Sequence, residues 1–229
     1  MKTNLLITKW LTVLAFLIIN LQSATTFAAV ALTVTPSVIS NTYPGVITLD
    51  ITGLTNTETV TVQRWLDLNG NGSIDAGEPM IDAFKITDNN ITNALIGGIT
   101  NINVPFDTNP TNGAITTALN CAWALDNMVG QYVFQVVSPS GRFSPVTATF
   151  AVTNAALGQS VSGIIYSNGV PCPNAVVWAL DQQADDLTGA AVADSSGHYL
   201  LTLAPGRDYS LIAEMPNFYD DLSSAPSLI

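Results

Sequence analysis

The chain has 229 residues, 48% of them hydrophobic, with 17 acidic against 6 basic side chains and a formal net charge of −11. Lys2 and Lys9 lie in the N-terminal segment, and the other basic residues (Arg64, Lys85, Arg142 and Arg207) are scattered singly. No basic patch is present to neutralise phosphates, which argues against nucleic acid or an anionic lipid surface as partner.

Residues 1–31 run from two lysines through an apolar stretch centred on Leu11–Ile19 to small residues around Ala28, Ala29 and Ala31. That is the order of a secretory signal peptide, with cleavage expected after one of those alanines. The apolar run is too short for a hydrocarbon core of roughly 30 Å, and no later segment is long and apolar enough to span one. The mature chain is therefore expected to be secreted or at the cell surface, with no membrane span and a charge of 4 − 17 = −13.

Beyond the leader, helical periodicity is nearly absent. "ALTVTPSVIS", "GVITLDITGL", "ETVTVQRWLDL", "QYVFQVVSPSG" and "PVTATFAVT" are short, rich in Val, Ile, Thr and aromatics, and bounded by Gly, Pro, Asn and Ser. Apolar residues on both parities of "QYVFQVV" predict a central strand buried on both faces. Strands at this spacing predict an all-β fold over 32–154, an antiparallel sandwich of the immunoglobulin or fibronectin III kind.

Within it, "DLNGNGSIDAGE" (67–78) places oxygen side chains at its first, third, fifth, seventh, ninth and twelfth positions and glycine at the sixth. The pattern resembles the calcium loop of an EF-hand. The resemblance implies Ca2+ held by side-chain oxygens of Asp67, Asn69 and Asn71, the backbone carbonyl of Ser73, Asp75 directly or through water, and a bidentate Glu78. Gly72 would make the turn and Ile74 would pin the loop to the fold. The flanks "TVTVQRWL" and "MIDAFKIT" read as strands and Pro79 follows the glutamate, so the loop is expected on a β-hairpin and not between helices. Residues 88–120, rich in Asn and Thr, predict short edge strands and long solvated loops.

Small residues at 153–160 mark a boundary, and 155–229 form a second unit. Its "VSGIIY", "NGVPCPNA", "VVWAL", "ADSSGHYLLTL" and "PGRDYSLIAE" resemble the carboxypeptidase regulatory-like domain. That resemblance implies a transthyretin-type sandwich of carbohydrate-binding-like fold, non-catalytic despite the family name, and lacking one or two strands at its C-terminal end. Asn168-Gly169 suits a tight turn, Asp194 can cap its own turn, and Tyr199, Leu201 and Leu203 share one face. Cys121 and Cys172 fall in different units, and could pair in an oxidising compartment or stand as two partly buried thiols.

Catalytic sets are wanting. The one histidine, His198, cannot complete a zinc hydrolase or a Ser-His-Asp triad, and no G-x-S-x-G elbow is present. Asp185-Asp186 and Asp220-Asp221 lie in turn-like, solvated stretches, a poor setting for a catalytic carboxylate pair. The expected function is a non-enzymatic, calcium-stabilised interaction or adhesion module acting on an extracellular protein or glycan. The alternatives are a carbohydrate-binding module, using Trp123, Trp178 or Tyr219 where exposed, or the accessory region of a larger secreted enzyme. Trp178, inside "AVVWAL", is expected in the core.

Overall fold

A computed structural model describes residues 28–90, 95–96, 99–100, 105–121, 124, 126–153 and 159–215. The expected leader up to residue 27, most of the Asn/Thr surface at 91–104, Trp123, Tyr219 and Asp220-Asp221 lie outside the described residues. The first unit runs β1 (Ala31–Thr35), β2 (Val38–Ser40), β3 (Val46–Thr52), β4 (Thr59–Asp67), β5 (Met80–Thr87), β6 (Leu95–Ile96), β7 (Ile99–Thr100), β8 (Ala114–Asn120), β9 (Gly130–Val137) and β10 (Val146–Thr153).

Two sheets form it. One has the order β1-β3-β8 and the other β2-β10-β9-β4-β5, with β6 and β7 pairing only with each other. Neighbours are antiparallel except β2 and β10, which are parallel. The chain thus changes sheet between its first two strands and returns beside its last, an immunoglobulin-like arrangement. Strict alternation drives the packing: Ile47, Leu49 and Ile51 of β3 face Val60, Val62 and Leu66 of β4 and Tyr132, Phe134 and Val136 of β9 across one core. Val133, on the opposite parity of β9, is also fully buried, as the two-parity pattern predicts for a central strand. The expected solvated stretch 88–120 ends in a seven-residue strand, β8, whose Ile115 lies wholly in the core. Val30 packs against that core and β1 starts at Ala31, so cleavage after Ala28 or Ala29 keeps both residues, whereas cleavage after Ala31 removes them.

Between Val62 and Leu66 the alternation places Arg64 inward, 5% exposed. Its guanidinium carbon lies 4.0 Å from the Tyr132 ring centroid and 5.4 Å from that of Phe150, and Nη2 donates to the Asp126 carbonyl at 2.8 Å. Asp126 Oδ1 is 3.7 Å from Nη1, and Nε has no hydrogen-bond partner. Burial pushes the Asp126 carboxyl up despite Arg64, and pushes the Tyr132 hydroxyl to about 12. Aromatic faces thus supply much of what water would give this cation.

The second unit contains β11 (Gln159–Ile164), β12 (Tyr166–Ser167), β13 (Val170–Pro171), β14 (Val176–Asp181), β15 (Asp186–Val192), β16 (His198–Leu203) and β17 (Tyr209–Glu214). Sheet β11-β16 packs on sheet β15-β14-β17 over a small core of Cys172, Ala175, Val177, Ala179, Ala191, Ala193, Tyr199, Leu201 and Leu203. Asn168 and Gly169 take φ of 50° and 79° in the β12–β13 hairpin. Gly197 (φ 77°) has no room for a Cβ, which would meet the Ile165 carbonyl oxygen at 2.9 Å. Both cysteines are free and buried, and the Cys121 thiol is pushed up by burial. Trp178 departs from expectation. Alternation along β14 gives the core to Val177 and Ala179, so the indole sits half-buried on the outer face, its Nε1 donating to Glu214 Oε2 at 3.3 Å.

The units touch directly: Ala190 and Val192 of β15 pack against the first core, and Asn174 Nδ2 donates to the Gly77 carbonyl at 3.1 Å. No helix among the described residues is long and apolar enough to cross a membrane.

Replacing Arg64 tests the cost of its burial. Arg64→Met combined with Asp126→Asn removes both charges at similar volume, so urea unfolding should show stability unchanged or raised by about 1–2 kcal/mol. Arg64→Ala should lose about 3 kcal/mol, because it leaves a cavity among Tyr132, Phe134 and Phe150 and strands Asp126.

Candidate functional site

The loop at 67–78 joins β4 to β5, which pair from Thr59↔Thr87 to Trp65↔Met80 with a register shift between Arg64 and Trp65. It is the strand-flanked hairpin that the sequence predicts. Leu66 N–H donates to the Pro79 carbonyl at 3.0 Å, closing the neck. Gly70 and Gly72 take φ of 70° and 76°, a region costly to side chains, so that the backbone can turn its N–H groups inward.

Those N–H groups converge on the first ligand position. Asp67, 5% exposed, accepts Gly70 N–H at 2.7 Å and Asn71 N–H at 3.2 Å on Oδ1, and Gly72 N–H at 2.7 Å on Oδ2. Glu78, 8% exposed, accepts Leu68 N–H at 3.0 Å on Oε1 and Asp75 N–H at 2.8 Å on Oε2. Asn69 and Asn71 direct Nδ2 at Asp75 Oδ2, at 2.8 and 2.6 Å, and these bonds hold the Asp75 carboxyl below its ordinary value. Their own Oδ1 atoms accept Asn71 N–H at 3.0 Å and Ser73 N–H at 2.7 Å.

Of the six expected ligands, Asn69, Asn71 and Asp75 are thus in mutual contact. Asp67 and Glu78 are linked to them through backbone N–H groups, and Ser73 is exposed at the rim. Ile74 is half-buried. Among the described residues no group of three or more His, Cys, Asp or Glu side chains is gathered as a metal cluster. Three of the six expected ligands are neutral, however, and the oxygen set fits a hard cation chemically. A carboxylate has about four acceptor positions. Asp67 uses three of them and Glu78 two, and among the described residues neither forms an ion pair with a basic side chain.

A second carboxylate network was not legible as such in the sequence. Asp88 opens the Asn/Thr-rich stretch and Asp107 lies within it, yet both are buried. Asp88 accepts Thr57 N–H at 2.8 Å and the N–H groups of Gly113 and Ala114 at 3.1 Å, with Asn89 Nδ2 at 3.0 Å. Asp107 accepts Asn89 and Asn109 N–H at 2.8 Å and Thr116 N–H at 3.0 Å. Both act as rivets for loops. The spacing Asp107, Asn109, Thr111, in which each Asx oxygen accepts an N–H two residues on, was the available signal.

Around His198, Ser196 Oγ donates to Asp194 Oδ1 at 2.7 Å and His198 reaches the same oxygen only through its backbone N–H at 3.0 Å. The aspartate, not the imidazole, stands in the middle, which is the wrong order for activating a serine. Hydrogen bonds from Ser196 and His198 hold the Asp194 carboxyl below its ordinary value, as befits a turn cap. Asp185 and Asp186 are exposed at the β14–β15 turn.

No family model matches the chain, and no curated protein matches it. Solved structures give slight likenesses. Macromomycin is 18% identical over 56% of this chain and 100% of its own, with a TM-score of 0.28. A structure of toxic shock syndrome toxin-1, a bacterial superantigen, is 17% identical over 56% and 100%, at 0.29. A marsupial T cell receptor is 12% identical over 84% and 98%, at 0.31. Scores this low bear no weight on function, and the sandwich fold rests on the strand pairing itself.

The Asp107 rivet yields a test. Asp107→Ala leaves three backbone N–H groups without their acceptor and should cost about 3 kcal/mol in a thermal or urea melt. Asp107→Asn keeps one acceptor oxygen and should cost roughly half as much.

Proposed function

We propose that the chain is a secreted, non-enzymatic interaction module of the extracellular space or cell surface, whose first unit is stabilised by Ca2+ in the 67–78 loop. The observation that carries the calcium reading is the pair Asp67 and Glu78. Both carboxylates are nearly buried, both keep unused acceptor positions, and neither has a basic partner among the described residues. Asp67, Glu78, Asp75 and the amide oxygens of Asn69 and Asn71 would hold the ion, with the Ser73 carbonyl at the rim, and the ion would supply the missing positive charge. With two neutral amides in the set, a modest extracellular affinity suits it better than a cytosolic one.

The loop hangs between strands and lacks the paired helices that open in calcium sensors, so the ion has a stabilising and not a switching role. The absence of catalysis is inferred from the single histidine and its arrangement with Asp194 and Ser196. The second unit's resemblance to carboxypeptidase regulatory-like domains supports an accessory, binding role and rests on its sequence motifs alone. A glycan ligand is the second reading, favoured by the outward Trp178 beside exposed Ile212 and the Glu214 carboxylate. A pyranose ring could stack on such an indole while a hydroxyl meets the carboxylate. It predicts retention on a glycan array that Trp178→Ala abolishes.

For calcium, suppose a dissociation constant on the order of 10 μM and free calcium of about 1 mM. Linkage then gives roughly 2.7 kcal/mol of stabilisation, or a melting temperature higher by about 10 °C for the first unit. Glu78→Gln should remove most of that increment, and Asn71→Ala a smaller part. The measurement is a thermal melt of the mature chain with calcium and with chelator, alongside titration calorimetry. Superimposable melts and no heat of binding would sink the calcium reading.

A further inference from the structure

A cleft of about 620 Å³ opens where the two units meet, between the start of the 67–78 loop and the beginning of β9 on one side and β15 and β16 on the other. Five consecutive residues of β15, Thr188 to Val192, line it. β15 is an edge strand, hydrogen-bonded to β14 alone among the described strands, so its other side presents a row of backbone donors and acceptors. Natural sheets protect such edges with charge or proline. β5, the edge of the large sheet, carries Asp82 and Lys85, whereas β15 has a charge at its first residue, Asp186, and neither charge nor proline from Thr188 to Val192; the edges β1 and β8 are uncharged too, but they do not line this cleft. Beside this bare edge stand exposed aliphatic side chains from both units: Leu68 (41%), Val129 (43%) and Leu200 (60%).

We propose that the β15 edge and the adjoining inter-unit cleft bind an extended peptide segment of another protein by strand addition, with aliphatic side chains at alternate positions and a neutral or basic charge. The backbone row recognises a strand, since only another extended backbone matches its alternating donors and acceptors at a spacing of about 4.8 Å. Leu200 on one side and Leu68 with Val129 on the other offer apolar seats to side chains that alternate across that strand. Charge fixes the class of partner. The ionisable residues of the lining are Asp67, Asp194 and His198, with no Lys or Arg, and the chain carries −11 overall. An acidic strand is repelled, as is a second copy of this chain. The inference rests on the interaction-module reading and names its partner; of the two lining carboxylates, Asp194 is the one that calcium in the 67–78 loop would leave uncompensated.

The test uses the full mature chain and a defined probe, the fluorescein-labelled peptide Lys-Val-Thr-Val-Thr-Val-Lys, read by fluorescence anisotropy and by amide chemical shifts. The expected result is saturable binding with shifts centred on residues 188–192. It should weaken at least tenfold when every Val and Thr of the peptide is N-methylated, when both its Lys are replaced by Glu, or in the Leu200→Glu variant. Leu200 is exposed, so that variant leaves the core intact, and an unchanged thermal melt confirms it. Binding of the N-methylated peptide within twofold of the parent overturns strand addition. Binding that shifts another strand edge and ignores Leu200→Glu overturns this site while leaving the interaction-module reading standing. No binding of the parent peptide at 1 mM overturns the proposal outright.

Discussion

Scarcity of positive charge is the constraint from which much of this structure follows. Seventeen carboxylates share six basic side chains, two of them in the first nine residues. Among the described residues the ion pairs join Arg64 to Asp126, Arg142 to Glu58 and Arg207 to Asp181. The other buried carboxylates, Asp67, Glu78, Asp88 and Asp107, must be met by something else. They are met by backbone N–H groups, and an N–H can be turned toward a carboxylate only where the chain bends sharply. Glycine and asparagine at positive φ, as at Gly70, Gly72, Asn89 and Gly113, supply those bends. The ornate loops are therefore part of the charge balance of the fold.

The three arginines are used unequally. Arg142 donates to both oxygens of Glu58 at 2.8 Å and reaches the Gly53 carbonyl at 3.1 Å, tying the β9–β10 turn to the approach of β4. Burial would raise the Glu58 carboxyl, but hydrogen bonds from Arg142 and Thr55 outweigh it and hold the group below its ordinary value. At Asp181 burial again pushes the carboxyl up, but the N–H groups of Ala184 and Gln183, with the half-exposed Arg207, hold it below its ordinary value. Arg64 instead sits where an apolar residue would pack better, among aromatic rings with one nitrogen unpaired. Its register in β4 is fixed by Val62 and Leu66 on either side, since a slip of one residue would put all three on the wrong face.

Alternation made most of the first unit legible before any coordinates. The strands around "VITLDIT" and "QYVFQVV" lie where they were expected, because period-two burial against a flat partner is a local property of sequence. Loop 67–78 was legible for a different reason: oxygen donors at fixed spacing with glycine at the turn leave little freedom in how the chain can wrap. The place of Trp178 is not legible in the sequence because a run such as "AVVWAL" has apolar residues on both parities. Which parity faces the core depends on the opposite sheet, where Tyr199 and Leu201 already fill the space and leave room only for Val177 and alanines. Asp88 and Asp107 are hidden in a polar stretch because partners distant in the chain enclose them: Thr57 and Gly113 are 31 and 25 positions from Asp88, and Asn89 is 18 from Asp107.

The same partition bears on the cleft at the junction between the units. An alanine-rich core makes the second sandwich thin, and its outermost strand, β15, completes its burial by laying Ala190 and Val192 on the first unit. A strand committed on one face to a neighbouring unit cannot also carry the bulky or charged side chains that would shield its edge there. The price of that contact is a bare edge beside it. Asn174, held at positive φ (63°), anchors the second unit to the Gly77 carbonyl at the foot of the 67–78 loop. The second unit is thus seated on a run of backbone, 67–78, whose shape is set by where two carboxylates find their donors.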